Sequence, residues 1–131
     1  MKTEKFIEKL EENNQLIFKS LDKVIRKHDQ KVTVEVGSIM RAKEALVYKQ
    51  ENVFKYGLTI SKNHFSFHSM VMYAFPDVLE KFKQELKGIK IHKGCINFKS
   101  IDALDLQKFE KLLKLSSQKD FSSVINHYKK K

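Results

Sequence analysis

The sequence predicts an α+β fold, an antiparallel sheet of about five strands with helices packed on one face. Three observations carry that expectation. Residues 54–60 and 64–70 both alternate apolar with polar side chains, the period-two mark of half-buried strands, and Ser61, Lys62 and Asn63 join them as a hairpin. Two more short alternating stretches precede this pair, and each joint is too short for a crossover helix, so the four form a meander. Stretches of helical period stand on both sides of the block. The hairpin has unequal faces. Phe54, Tyr56, Leu58, Ile60, Phe65 and Phe67 share the side that helices must cover. Lys55, Gly57, Thr59, His64, Ser66 and His68 share the side free to meet water or a ligand.

Taken in order, residues 3–28 read as one long amphipathic helix. Ile7, Leu10, Ile17, Leu21, Val24 and Ile25 recur at helical spacing, and Asn14 stands on that stripe where an apolar residue is expected. Residues 31–36 alternate as a first strand, broken by Gly37 and Ser38; residues 45–49 form a second, and Gln50, Glu51 and Asn52 turn into the hairpin. Pro76 opens the next helix, where its missing N–H costs nothing, and Gly88 ends it in the C′ position. A basic loop leads to a fifth strand, residues 94–99, with Ile96 and Phe98 facing the core. Asp102 is the expected N-cap of a helix striped by Leu106, Phe109, Leu112 and Leu113. Asp120 is placed to cap a last helix through Phe121, Val124, Ile125 and Tyr128.

At 131 residues the chain has the size of one domain. Its single cysteine, Cys95, excludes an internal disulfide and a zinc finger. The opening residues alternate acids with lysines and no uncharged run is long enough to span a bilayer, so the expectation is a soluble, cytoplasmic protein without membrane partners. The net charge of +10 invites a nucleic-acid reading, yet only Arg26 and Arg41 carry the guanidinium that bidentate phosphate and base contacts favour. The lysines are scattered over helices that also carry acids. Specific nucleic-acid binding is therefore not expected.

Candidate chemistry is sparse. His64 and His68 lie four apart on a strand, roughly 13 Å from one another, too far to share one ion. Cys95 has lysines and His92 near it in sequence, but no nucleophile elbow, dyad or paired carboxylate accompanies it, and the four glycines form no phosphate loop. No enzyme is indicated. The polar hairpin side, His64, Ser66 and His68, is the expected ligand or partner surface, joined by Cys95 and Asn97 if the fifth strand lies alongside. A protein partner or a homodimer is expected there. The loop from Lys87 to Gly94 adds Lys87, Lys90, His92 and Lys93 between two glycines, a pattern suited to an anion or an acidic surface.

The order of motifs also resembles a known family. Asn63-His64-Phe65-Ser66-Phe67 follows an aromatic strand; then come Phe82-Lys83-Gln84-Glu85-Leu86-Lys87-Gly88, Lys93-Gly94-Cys95-Ile96-Asn97-Phe98, and a helix opening Leu104-Asp105-Leu106. This resembles the YdhG-like family over residues 30–115, with residues 1–131 forming one such domain. The resemblance implies a frataxin-like arrangement of helices on an antiparallel sheet and an intracellular iron-chaperone role. The positions matching its motifs are His64, Lys87, Gly88, Lys90, Lys93 and Gly94, and no catalytic residues come with it. Hard iron cations prefer clustered carboxylates. Glu4, Glu8, Glu11 and Glu12 make the one such cluster, so they are the expected metal residues and iron the expected cargo.

Overall fold

The computed structural model describes residues 2–39, 42–61 and 64–129. The tip residues Lys62 and Asn63, Met40 and Arg41 of the first joint, and the last two lysines of the tail lie outside them. Helices α1 (Thr3–Glu8) and α2 (Glu12–His28) come first, followed by strands β1 (Thr33–Ile39), β2 (Ala42–Gln50), β3 (Val53–Ser61) and β4 (His64–Ser69). After them come α3 (Met70–Ala74), α4 (Pro76–Glu85), β5 (Lys90–Ile91), β6 (Cys95–Phe98), α5 (Ile101–Leu104), α6 (Leu106–Ser117) and α7 (Ser122–Lys129). The strands form one antiparallel sheet in the order β1-β2-β3-β4-β6-β5, an α+β architecture. The main core joins Leu46, Tyr56, Leu58, Phe67, Ile96 and Phe98 of the sheet to apolar residues of the helices. Phe67 lies at its centre, fully buried, edge-on to Phe109 at 4.9 Å and stacked with Phe82 at 6.4 Å.

Several boundaries differ from the sequence reading. The single helix expected over residues 3–28 is two helices with an elbow at Lys9, Leu10 and Glu11. Gln15 supports the break, its Nε2 donating to the carbonyls of Leu10 (2.8 Å) and Glu8 (3.3 Å). An unbroken helix would carry the Asn14 amide under the apolar stripe, where an unpaired polar group is costly; the elbow leaves it half-buried. Gly37 and Ser38 do not end the first strand, which runs through to Ile39. Part of the basic loop is itself a strand, β5, so the sheet has six strands instead of five. Ser100 caps α5 and Asp105 caps α6, accepting from the Lys108 N–H, so the expected cap at Asp102 is displaced. The left-handed Gly88 (φ 82°) falls two residues beyond the Leu86 C-cap.

The largest correction is in the hairpin strand itself. Gln50 pairs with Val53 across a two-residue turn in which Glu51 and Asn52 both have positive φ (49° and 69°), the type I′ geometry that matches strand twist. Lys49 then pairs with Phe54, but Tyr48 pairs with Tyr56, so Lys55 is the extra residue of a β-bulge. The bulge exchanges the expected faces of two residues. Phe54 joins Ile39, Ala45 and Val47 in a small second cluster on the face without helices. Lys55 turns inward and is completely buried.

Candidate anion-binding cleft

Polar side chains gather at two places on the sheet. The first set is buried between the sheet and α2. Lys55 Nζ lies 2.7 Å from Asp29 Oδ2 and donates at 2.7 Å to Gln50 Oε1, with the rings of Phe121 and Tyr56 at 5.0 and 5.6 Å. Tyr56 donates to Asp29 Oδ2 at 2.8 Å, and Tyr48, its cross-strand neighbour, donates to Asp22 Oδ1 at 2.6 Å. Arg26 completes that second pair at 2.7 Å from Asp22 Oδ2. Burial holds the Lys55 ammonium below its ordinary range, against the pull of Asp29. Burial and then the aspartates push both tyrosines well above theirs. Among the described residues no buried side-chain donor or acceptor is left without a partner, so the network is a set of fastenings within the fold.

The second set lies on the side of the sheet without helices. Ser66 pairs with Asn97 and His68 with Cys95 in the β4–β6 register, which places these four side chains together on one face as the sequence suggested. His68 Nε2 meets Thr59 Oγ1 at 3.0 Å, and burial lowers its pKa while raising that of the Cys95 thiol. A neutral imidazole beside a protonated thiol is not an activated nucleophile. Ser66 Oγ donates to Asn97 Oδ1 at 2.5 Å, which leaves the Asn97 amide N–H groups to face elsewhere.

They face a cleft. The β5–β6 ladder consists of only two pairs, Lys90 with Asn97 and Ile91 with Ile96. Continuing that register would set Ile89 against Phe98 and Gly88 against Lys99. Instead the left-handed Gly88 diverts the chain, and these four residues line a fork-shaped opening of about 510 Å³. His64, Lys90 and Asn97 complete its polar wall, and Ala103 its floor. None of the described residues lining it is a carboxylate.

Of the residues singled out from sequence, His64 and Lys90 meet at this cleft, and Ser66 supports it through Asn97. The rest of the basic loop does not converge there. Lys87 is exposed next to Gly88, His92 belongs to the β5–β6 turn, and Lys93 lies over the Tyr73 ring at 4.8 Å. Lys99 went unnoticed in sequence, since its position depends on the long-range β4–β6 pairing. The four glutamates are divided by the elbow, Glu4 and Glu8 on α1, Glu11 at the N-cap and Glu12 at the start of α2, and all are exposed. Among the described residues no three His, Cys, Asp or Glu side chains form a group that could hold a metal ion. A smaller apolar cleft of about 270 Å³ lies at the opposite end of β3, beside Phe54, Met70 and Tyr128; its acid and base, Glu51 and Lys129, face one another at 3.8 Å. No helix of the described residues is long and apolar enough to cross a membrane.

No family model, no curated protein and no solved structure matches this chain. Function is therefore read from the geometry of the cleft.

Proposed function

We propose that the protein is a non-catalytic binding module that takes a small anionic ligand in the fork between β5 and β6. The observation that carries this reading is the composition of the fork. Two lysines, an imidazole and a side-chain amide line an opening together with apolar side chains, and none of the described residues lining it is a carboxylate. Its volume falls within the roughly 300–1,000 Å³ typical of small-molecule sites. Lys90 and Lys99 supply charge, the Asn97 amide supplies direction because Ser66 occupies its oxygen, and Ile89, Phe98 and Ala103 accept an apolar portion of the ligand. The iron-handling role implied by the YdhG-like resemblance has less support, because it needs clustered carboxylates and the four glutamates are spread over two helices.

The test is a thermal-shift series with acetate, phosphate and nucleotides, since a ligand that binds only the folded state raises its stability by mass action. A saturable shift is expected, weakened at least about tenfold in apparent affinity by Lys90→Gln or Lys99→Gln, an effect of about 1.4 kcal/mol. A shift that both variants leave intact, or no shift with any anion, overturns the reading.

A further inference from the structure

A second cleft adjoins the fork. It has a volume of about 740 Å³ and opens between the α1–α2 elbow and the end of the β3–β4 hairpin. His64 and Lys99 line both clefts, so the two adjoin at that end of the sheet. The charge changes from one to the other. Beyond the shared residues the fork contributes Lys90, whereas the second cleft contributes Glu11 and Glu44 against a single Lys9, together with the Asn14 amide. Glu11 is the N-cap of α2 yet accepts no capping bond through its side chain. Glu44 makes an exposed contact to Lys9 at 3.5 Å. Phe6, Ile60 and Phe65 form the apolar wall between. The elbow and the anomalous Asn14 thus belong to the same feature.

Resting on the anion-binding reading above, we infer that the two clefts form one groove for a short zwitterionic peptide in extended form, with its carboxylate at Lys90 and Lys99 and its amino group at Glu11 and Glu44. Length supports this occupant. Glu44 on β2 and Lys99 just past β6 are three strand spacings apart, roughly 14 Å. An extended tetrapeptide spans at most roughly 13–14 Å. A lone phosphate or acetate would fill the basic end and leave the end lined by Glu11 and Glu44 unoccupied.

Calorimetry on the full chain at pH 7 tests the inference with tetraalanine, N-acetyl-tetraalanine, tetraalanine amide, dialanine, N-acetyl-dialanine and sodium acetate. Tetraalanine is expected to bind about tenfold more tightly than either blocked form. The loss on acetylation should disappear in the Glu11→Gln/Glu44→Gln variant, and the loss on amidation in Lys90→Gln. Dialanine, too short to reach both ends, should be indifferent to acetylation. Circular dichroism of each variant verifies that it is folded. If acetylation leaves tetraalanine binding unchanged while amidation still weakens it, the groove inference fails and the anion site stands. The groove inference fails equally if dialanine is as sensitive to acetylation as tetraalanine. If neither acetate nor any of the peptides binds, both readings fall.

Discussion

The network at Lys55 and the groove at His64 are both built from charged and polar side chains on one sheet, and they differ in what is left over. At Lys55 a buried ammonium, carboxylate and phenol answer one another, joined by the amide oxygen of half-buried Gln50. At the cleft beside His64, Lys90, Lys99 and Asn97 line open space. Charge by itself therefore does not mark a site. The saturated cluster acts on stability through desolvated partners; the unsaturated one, where we propose that a ligand binds, burdens the fold little.

Substitutions that sharpen this contrast can be ranked by size. Asp29→Ala strands the Lys55 ammonium and the Tyr56 hydroxyl in the core and should destabilise the protein by about 3–5 kcal/mol in urea denaturation. Adding Lys55→Met to that variant should return part of the loss, because an unpaired buried charge is worse than none. If Asp29→Ala behaves like a surface change, the network is not a fastening. Gly57→Ala should cost about 1–3 kcal/mol, since a β-carbon there would lie 2.3 Å from Ile39 Cδ1 and 3.1 Å from the Phe54 ring. Absence of a loss would mean that the bulge does not bring Phe54 over this glycine.

The pH dependence should show the same network. Buried Lys55 has a lowered pKa, so between that value and the ordinary lysine value near 10.4 the unfolded chain holds the extra proton and stability rises with pH. Tyr48 and Tyr56 have raised values, so their contribution is complete below the ordinary tyrosine value near 10 and lessens above it, by up to about 1.4 kcal/mol per pH unit for each ring. Stability measured from pH 8 to 12 should pass through a maximum, with a shallower alkaline fall in Tyr56→Phe. A monotonic curve, or one that Tyr56→Phe does not alter, would contradict this. Smallest of all, Lys90→Gln should change stability by no more than about 0.5 kcal/mol while it weakens the anion response at least about tenfold. A large loss of stability would move Lys90 from the second class of cluster to the first.

The fold class was legible because its signals are local. Alternation marked Val34, Leu58 and Phe67 as strand residues, and Pro76 opens its helix as its chemistry requires. The bulge was not legible, since alternation continues unbroken through Phe54, Lys55 and Tyr56 while the pairing partner decides which residue is extra. One signal was available. Asp22 on α2 and Asp29 at its C-cap are both buried, and acids at such positions require partners, which the tyrosines provide. The site was legible in fragments. His64, Lys90 and Asn97 stand out by type, but their meeting depends on β4 pairing with a strand nearly thirty residues further along. His92 and Lys93 looked equivalent to Lys90 in sequence, and a two-residue strand was enough to separate them.

The tyrosine fastenings have a consequence for how the molecule opens. They bind α2 to β2 and β3 at two points a helical heptad apart, so these three elements should exchange their amide protons together, and only in the rarest, most complete openings. The fork rests on two ladder pairs and a four-residue helix, and its amides should exchange in openings that leave the rest of the sheet intact. A ligand lodged there would slow exchange at the end of β6 and around Gly88 without altering the slowest protons of α2, so the map of protected amides would itself trace the outline of the site.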